Sequence, residues 1–294
     1  MAHANGSPLG AVLRKRYRLA RDEHAGERVA IKLLHASLGD DTEWCERFRR
    51  EAEVGKEIVS RHVARLLEAG KNREGRYWIA FEFLEGESLD ERLRGGGRLP
   101  FVDVSWTIEH ALLGLGAAHR LGVVHRDIKP ANLFIERARP WLRVLDFGLA
   151  KRMVGESASS GLTSVDRTLG TPSYMSPEQF VNPRDVDART DLYSTGLVAY
   201  RALTGRLPFQ HHDIGAMQEA KRTRGVASLA CATGVSWPDP LEGWMQHMVA
   251  PRPGDRFTNA EAALRAWERA CEAMASHTPV NVEAAQDDTE LDPE

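Results

Sequence analysis

Residues 125–132, His125-Arg126-Asp127-Ile128-Lys129-Pro130-Ala131-Asn132, are the stretch from which the fold and chemistry of this chain are inferred. Apolar residues precede it at Gly122-Val123-Val124 and follow it at Leu133-Phe134-Ile135, which predicts a strand, a polar loop and a second strand. A loop held between two buried strands can fix polar groups in space, and phosphoryl transfer depends on such positioning more than on covalent chemistry. The stretch therefore predicts a loop that holds one carboxylate, one ammonium, one guanidinium and one carboxamide in fixed positions.

Further motifs accompany this loop in order along the chain. Val29-Ala30-Ile31-Lys32 places a lysine inside an apolar strand, where its ammonium needs a partner because burying an unpaired charge is costly. Leu145-Asp146-Phe147-Gly148 follows a second apolar run, with its aspartate fourteen residues after the last residue of the loop. The set is completed by Gly170-Thr171-Pro172-Ser173-Tyr174-Met175-Ser176-Pro177-Glu178 and by Pro253-Gly254-Asp255-Arg256-Phe257.

Together these motifs resemble the Hanks-type, or eukaryotic-like, Ser/Thr protein kinases of bacteria over about residues 17–275. The resemblance implies an α+β, bilobal protein-kinase-like fold. A small β-rich N-lobe, shortened at its start, would occupy residues 1–84, and a larger helical C-lobe would occupy residues 85–275. Residues 276–294 are acidic and almost without large apolar side chains, which predicts a disordered tail. Small-molecule kinases share the fold but lack the Gly-Thr-Pro…Ser-Pro-Glu segment.

The resemblance implies ATP as the phosphoryl donor and Mg²⁺ as the metal ion, with Mn²⁺ as an alternative. Asp127 would orient the substrate hydroxyl, and Lys129 would neutralise charge on the transferred group. Asn132 and Asp146 would bind the metal through oxygen atoms, which a hard cation prefers. His125 would be a scaffold residue.

Lys32 would bind the α- and β-phosphates and pair with a glutamate on the next predicted helix, residues 41–59. Glu51 occupies the position where relatives place that glutamate. Glu46 and Glu53 are alternatives, although both face away from the apolar stripe by the helical count. The catalytic residues implied by the resemblance are therefore Lys32, Glu51, Asp127 and Lys129.

The resemblance places the adenine ring against Val12 and Ala30. Its polar edge would meet the hinge backbone at Glu82 and Leu84, with Phe81 at the back of the pocket. The implied nucleotide- and metal-binding residues are therefore Val12, Ala30, Lys32, Glu82, Leu84, Asn132 and Asp146.

A Gly-rich loop normally precedes the lysine strand, because backbone N–H groups must approach the phosphates closely. The nearest candidate, Asn5-Gly6-Ser7-Pro8-Leu9-Gly10-Ala11-Val12, matches the family only at Gly10 and Val12. One alignment interprets this segment as a shortened or degenerate loop. The other places Tyr17-Arg18-Leu19-Ala20-Arg21-Asp22 in the strand before the lysine strand and leaves no glycine loop.

Residues 149–169 are rich in Ser and Thr and contain few apolar side chains, so they cannot bury enough surface to order themselves. In relatives with an arginine before the catalytic aspartate, here Arg126, a phosphate on this segment pairs with that arginine. Thr163 is the first candidate for the modified residue and Thr168 is the second. A flexible loop that is never modified is the alternative. The segment from Gly170 to Glu178 resembles the substrate-binding loop of the family, and its Thr171 is expected to hydrogen-bond to Asp127 and Lys129.

Other polar residues are expected to hold the C-lobe together. Glu178 needs a buried cation, and Arg256 is the matching arginine. Asp191 is expected to hold the backbone of the catalytic loop. His110 and His119 stand nine residues apart and are expected to be structural rather than metal ligands.

The composition of the chain limits which binding partners and which cellular compartment are expected. The net charge of the 294-residue chain is −3, which gives no general attraction to nucleic acid. No run of about 18 apolar residues is present, so no membrane span is expected. The three scattered cysteines fit a reduced, cytoplasmic compartment. The implied partners are protein substrates and a second copy of the chain for autophosphorylation.

The predicted function is an ATP-dependent protein serine/threonine kinase that transfers the γ-phosphoryl group to Ser or Thr hydroxyls and is switched by phosphorylation of the activation loop. The alternative is a pseudokinase, a binding or scaffold module, because the Gly-rich loop is degraded. The residues with a direct chemical role are all present, which favours the enzyme.

Overall fold

The computed structural model describes residues 18–21, 26–33, 42–73, 75–138, 141–147, 172–183, 185–210 and 213–282. The predicted site residues that lie outside these ranges are Val12, Thr163, Thr168 and Thr171. The described residues form an N-terminal part built on an antiparallel sheet and a C-terminal part built mainly from helices. This is the α+β, two-lobed architecture that the sequence predicts.

The N-lobe sheet has four antiparallel strands: β1 (Arg18–Arg21), β2 (Arg28–Leu33), β3 (Leu66–Lys71) and β4 (Tyr77–Glu82). Their order in the sheet is β1-β2-β4-β3. The strand before the lysine strand is thus β1, which lies within the segment that the second alignment assigns to it. The candidate Gly-rich loop lies outside the described residues.

Helix α1 (Thr42–Lys56) packs on β3 through the apolar face that its sequence predicts. Phe48 and Ala52 are buried on that face, and the Phe48 ring meets the Tyr77 ring edge-on at 5.0 Å. Burial of one such aromatic side chain stabilises the fold by roughly 1.5–3 kcal/mol. These contacts fix the helix that carries Glu51 against the sheet that carries Lys32.

A second sheet joins the two lobes. Its strands are β5 (Gly86–Ser88), β6 (Leu133–Glu136) and β7 (Leu142–Val144), in the order β5-β6-β7. Val144 also forms a parallel bridge with Val63, and its backbone N–H donates to the carbonyl of His62 at 2.8 Å. The strands that follow the polar loop are thereby tied to the N-lobe.

The predicted strand at 122–124 is wrong. Gly122 adopts a left-handed φ of 72° and closes a turn, and Val123 donates its N–H to the carbonyl of Ala118 at 3.0 Å. The next backbone donors, of His125 and Arg126, go to the carboxylate of Asp191. The segment is apolar because Val123 is buried. Its backbone N–H groups and those that follow bind the end of the preceding helix and a carboxylate side chain instead of a neighbouring strand.

Helices fill the C-lobe. In chain order they are α2 (Leu89–Leu93), α3 (Phe101–His119), α4 (Pro177–Val181), α5 (Arg189–Thr204), α6 (Ile214–Thr223), α7 (Leu229–Thr233), α8 (Asp239–Met248) and α9 (Ala260–Ala275). Helix α5 is buried along almost its whole length, and the Trp244 and Trp267 rings pack at 4.4 Å between α8 and α9. The core of the lobe thus surrounds α5, whose first turn lies under the polar loop.

Glycines allow two close approaches in this core. A Cβ at Gly114 of α3 would lie 2.6 Å from the carbonyl oxygen of His62, and one at Gly196 of α5 would lie 2.7 Å from Met248 and Val249. Such distances are shorter than van der Waals contact. The lower helix propensity of glycine is therefore offset by the packing that it permits.

The boundary of the predicted tail needs a correction. Residues 277–282 are described, and they run beside 234–236: Ser236 donates its N–H to Val280 at 2.8 Å and Val282 donates to Gly234 at 3.0 Å. Backbone pairing of this kind does not depend on large side chains, which is why composition did not indicate it. Residues 283–294 lie outside the described part. No helix in the described part is long and apolar enough to span a bilayer.

Candidate active site

The polar loop is held from below by Asp191, in the first turn of α5. Its fully buried carboxylate accepts the backbone N–H groups of His125 and Arg126 and the Nε2 of His119, each at 2.8 Å. Burial alone would raise the pKa of Asp191, but the hydrogen bonds and charge of these partners hold it below its ordinary value. These bonds hold Arg126 in a left-handed conformation, φ 64°, which costs about 1–3 kcal/mol for a residue with a side chain.

Within the loop, the carboxylate of Asp127 lies between a cation and an amide. Lys129 Nζ donates to its Oδ1 at 3.1 Å and lies 2.9 Å from its Oδ2. The 3₁₀ turn Pro130–Asn132 brings the Asn132 side chain back, so that Nδ2 donates to the Asp127 carbonyl at 2.7 Å and to Oδ2 at 3.2 Å. A carboxylate oriented in this way can accept a hydroxyl proton, and the ammonium beside it can stabilise an oxyanion.

His125 connects this loop to the segment that carries Asp146. Its ring is buried, and this burial lowers its pKa below the ordinary value. The backbone N–H of Asp127 donates to Nδ1 at 3.2 Å, which places the proton on Nε2, the donor to the carbonyl of Leu145 at 2.8 Å. The ring also packs 4.8 Å from that of Phe147. His125 is thus part of the scaffold.

Asp146 forms an ion pair with Lys32 of β2, across the two lobes. Both carboxylate oxygens are hydrogen-bonded to the ammonium, the Oδ2 at 2.6 Å. Only 6% of the aspartate side chain is exposed, so its charge needs a close counter-charge. Like Arg126, Asp146 has a left-handed φ, here 62°.

The expected pair between Lys32 and Glu51 is therefore not the one observed: among the described residues, the ammonium of Lys32 is paired with Asp146. Glu51 lies half-buried on α1, whereas the alternatives Glu46 and Glu53 are exposed. Glu53 instead binds Lys56 at 2.8 Å. Asp146 is the more buried of the two carboxylates, and its ion pair with Lys32 offsets the desolvation of its charge.

The apolar residues expected around the adenine ring belong to one cluster of the N-lobe sheet and its surroundings. Ala30 is directly opposite Phe81 in the sheet, and both belong to the smaller apolar cluster together with Leu84 and Leu145. Glu82, between Phe81 and Leu84, donates its N–H to the carbonyl of Arg65 at 3.0 Å, which fixes the hinge backbone. The predicted adenine-site residues that the structure describes therefore lie close together, on β2 and at the end of β4.

The donor set fits a magnesium ion. The side-chain nitrogen of Asn132 donates to Asp127, so the side-chain atom that it can offer to a metal ion is the oxygen. Asp146 also offers oxygen atoms. The described residues contain no group of three or more His, Cys, Asp or Glu that could hold a metal alone. One carboxylate, one amide and substrate phosphates are the set from which Mg²⁺ sites of this kind are built.

Glu178 and Arg256 form a two-pronged ion pair at the end of the Gly170–Glu178 segment. Arg256 Nη1 and Nη2 donate to the two oxygens of Glu178 at 2.6 and 2.8 Å. The guanidinium is fully buried and also donates to the carbonyls of Ala250, Arg189 and Pro251. Burial alone would raise the pKa of Glu178, but the hydrogen bonds and charge of Arg256 hold it below its ordinary value.

Replacement of Arg256 by Met is expected to lower the free energy of unfolding by about 3–5 kcal/mol, because it leaves Glu178 partly buried without its cation. The exposed pair Arg120–Glu261 supplies the matched control: Arg120→Met is expected to cost no more than about 1 kcal/mol. Denaturant titration of both variants at pH 7 measures the difference. Equal costs would contradict this account of the buried pair.

The pH dependence of the Arg256→Met effect follows from the pKa of Glu178. This pKa is lower in the folded protein than the ordinary 4.5, so the pair stabilises fully above that pH and loses its effect as the pH falls through the folded pKa. The difference in unfolding free energy between wild type and Arg256→Met should therefore shrink below pH 4.5. A difference that is constant down to the acid transition would contradict the assignment.

Three supporting residues were not identified from the sequence as part of the site. His119 was expected to be structural, but its bond to Asp191 was not expected. Gln179 caps α4 with Ser176 and donates Nε2 to the carbonyl of Arg126 at 2.9 Å. Lys221 binds the segment that follows Thr171. A glutamine three residues after a serine is a recognisable capping signal, which could have identified Gln179. A lysine within an apolar helical stripe is a recognisable sign of a buried charge, which could have identified Lys221.

Regulatory predictions are only partly described by the structure. Thr163, Thr168 and Thr171 lie outside the described residues. Arg126 is described, and its Nη1 donates to the carbonyl of Pro183 at 3.3 Å.

The family model described as "Protein kinase domain" matches residues 14–267. Serine/threonine-protein kinase PksC of Streptomyces coelicolor is 33% identical over 276 residues, which cover 91% of this chain and 49% of that protein. Serine/threonine-protein kinase pkn2 of Myxococcus xanthus is 39% identical over 204 residues, covering 69% of this chain and 24% of that protein. The chain thus spans half or less of the length of these relatives.

The fold comparison agrees with the sequence comparison. A mutant form of the kinase domain of PknI from Mycobacterium tuberculosis superimposes with a TM-score of 0.67 at 24% identity. The superposition covers 92% of this chain and 100% of that one. At this identity the likeness shows a common fold.

Proposed function

This chain belongs to the protein kinase family, and on that premise we propose that it transfers the γ-phosphoryl group of ATP to serine and threonine hydroxyls of proteins. One observation carries the proposal: the Asp127–Lys129–Asn132 cluster is joined by direct bonds to the segment that holds Asp146 against Lys32. Leu145 donates its N–H to the carbonyl of Asn132 at 2.8 Å, and its own carbonyl accepts from the His125 ring. The two halves of the chemistry are therefore held in one rigid unit.

Each residue then has a defined task. Asp127 orients the acceptor hydroxyl and takes its proton as the new oxygen–phosphorus bond forms, and Lys129 donates to the oxygens of the transferred group. Lys32 neutralises charge on the α- and β-phosphates. Asn132 and Asp146 hold the metal, for which Mg²⁺ is the first choice and Mn²⁺ the second. When bound, the metal supplies positive charge to the phosphates.

We assign the acceptor to the serine/threonine class from the catalytic loop. Lys129, two residues after Asp127, is the cation that the Ser/Thr branch of the family places beside the transferred group. In the structure it contacts both oxygens of Asp127. Thr171, the second expected contact of this loop, lies outside the described residues.

Control by phosphorylation of residues 149–169 is a further part of the proposal. Arg126 lies next to the catalytic aspartate, and a phosphate on Thr163, or else Thr168, would pair with it and order the segment. Phosphoryl transfer from one copy of the chain to another would attach this phosphate. Protein substrates and a cytoplasmic location complete the proposed setting.

The alternative of a pseudokinase rests on the degraded Gly-rich loop alone. The relatives reported above are named as kinases, which gives the alternative no support. The described residues hold Lys32, Asp127, Asn132 and Asp146 in one connected arrangement. A binding module would have no need of that arrangement.

The test is transfer of label from γ-labelled ATP, with Mg²⁺, to a generic protein acceptor. The purified wild type is expected to label the acceptor, and EDTA is expected to abolish the reaction. Mapping the label on the chain itself tests Thr163 and Thr168. Tight ATP binding without any metal-dependent transfer would favour the pseudokinase.

A further inference from the structure

Lys221 is a fully buried lysine on helix α6, and the chemistry described above does not use it. Met217, Ala220 and Lys221 form the buried face of this helix. Helical spacing puts positions i, i+3 and i+4 on one face, so the lysine stands where an apolar residue is expected. A buried ammonium on an apolar face requires a specific reason.

The ammonium of Lys221 binds three backbone carbonyls of one short segment. Nζ donates to Pro172 at 2.9 Å, to Ser173 at 2.8 Å and to Met175 at 2.7 Å. All three N–H groups of the charged form are thereby used. Burial lowers the pKa of Lys221 to about 7, but three carbonyl acceptors favour the protonated form, since a neutral amine has only two N–H donors.

The carbonyl that Lys221 omits is also bound. Ser194 of α5 donates Oγ–H to the carbonyl of Tyr174 at 2.8 Å. Four consecutive carbonyls, residues 172–175, are therefore drawn toward the protein by side chains of α5 and α6. The segment has a single 3₁₀ turn of its own, Pro172–Tyr174, and these side-chain bonds further fix its backbone conformation.

The surroundings of the ammonium are aromatic rather than acidic. It lies 5.6 Å from the ring centre of Phe180, 5.8 Å from that of Phe209 and 5.9 Å from that of Tyr193. Within the described part of the chain, no ion pair with a carboxylate is formed by Lys221. The carbonyl dipoles of the segment and the three ring faces stabilise the charge of the ammonium. The rings accept no hydrogen bond from it in place of the carbonyls.

We propose that Lys221 is a positioning residue for the protein substrate, because it sets the backbone conformation of residues 172–175 in the segment that receives the acceptor. This inference rests on the proposed kinase function. Lys221 is not expected to touch ATP or the transferred group: its known contacts all lie in the C-lobe segment, on α4 and α5, and at Phe209. Its loss should therefore weaken acceptor binding and leave nucleotide binding unchanged.

The test uses the full chain with Lys221→Met, which keeps the unbranched shape and removes the three donors. Transfer to a peptide acceptor is measured while ATP and peptide are varied separately. The KM for the peptide is expected to rise at least about tenfold, since hydrogen bonds from a charged donor are each worth about that factor or more. The dissociation constant for ATP, followed by tryptophan fluorescence, is expected to stay unchanged and also shows that the variant is folded.

Arg222→Met is the matched control, because Arg222 is the next residue of the same helix and its side chain is exposed and paired with Glu219. It is expected to leave the peptide KM at the wild-type value. An unchanged peptide KM in Lys221→Met, or an equal rise in Arg222→Met, would overturn the inference. If Lys221→Met does not bind ATP, Lys221→Gln, which keeps an amide donor in the site, carries the test with the same two outcomes.

Failure of the proposed function is distinguishable from failure of this inference. A wild type that binds ATP but transfers nothing refutes the kinase activity on which the inference rests. A wild type that is active, next to a Lys221→Met variant with an unaltered acceptor KM, refutes only the role of Lys221.

Discussion

Replacement of Asp127 by Asn is expected to lower the rate of phosphoryl transfer by about 10³-fold, because the amide cannot accept the proton of the acceptor hydroxyl. The substitution changes no volume, and Lys129 and Asn132 remain beside it. Asp191 and His125 bind the backbone of the loop, so the fold of the Asp127→Asn variant is expected to persist. The dissociation constant for ATP should stay within about a factor of two, which separates chemistry from binding.

Asp187→Asn is the matched control for this variant. Asp187 precedes α5, its side chain is 66% exposed, and it binds no residue of the catalytic loop. Its substitution should leave transfer unchanged. Rapid mixing with γ-labelled ATP measures both variants under conditions in which the nucleotide is saturating. An Asp127→Asn enzyme that transfers at the wild-type rate would refute the role of this carboxylate.

Replacement of Lys32 by Met is expected to lower kcat/KM for ATP by at least about 10²-fold, the loss typical when one preorganised donor is removed from developing charge. The effect has two sources. The ammonium is withdrawn from the phosphates, and Asp146, which is 6% exposed, is deprived of the cation that it holds in the structure. The second source should also lower the free energy of unfolding.

Lys32→Arg separates the two sources. Arginine keeps the charge beside Asp146, so stability should be largely retained, but its planar group does not reproduce the point charge of an ammonium and transfer should stay low. Lys56→Met is the control for loss of a lysine, since Lys56 is paired with Glu53 on the outer side of α1. Full activity of Lys32→Met would contradict the site described here.

The grouping of the candidate site residues was predictable because the chemistry that the resemblance implies requires fixed residue types in a fixed order. Asp127, Asn132 and Asp146 were assigned from motifs, and the structure brings them to one place. The pairing of Lys32 was not predictable in the same way. The motifs name Glu51 as the partner of Lys32, but side-chain conformation in the folded protein decides which carboxylate binds the ammonium, and here Asp146 does.

Other differences between sequence and structure concern the use of backbone hydrogen bonds. Residues 122–124 are as apolar as a strand, yet the donors that follow are taken by the carboxylate of Asp191. Residues 277–282 are nearly without large apolar side chains, yet they pair with 234–236. Lys221 lies 48 residues from Ser173, and no local pattern shows that its ammonium meets three carbonyls there. Only the tertiary fold determines such partners.

Phosphoamino acid analysis of a protein acceptor tests the central claim most directly. The wild-type chain, incubated with γ-labelled ATP and Mg²⁺, is predicted to produce phosphoserine and phosphothreonine, and the Asp127→Asn variant is predicted to produce almost none. Label on tyrosine alone would contradict the acceptor class. No label on any hydroxyl, with ATP bound by the wild type, would contradict the claim that this protein is a kinase.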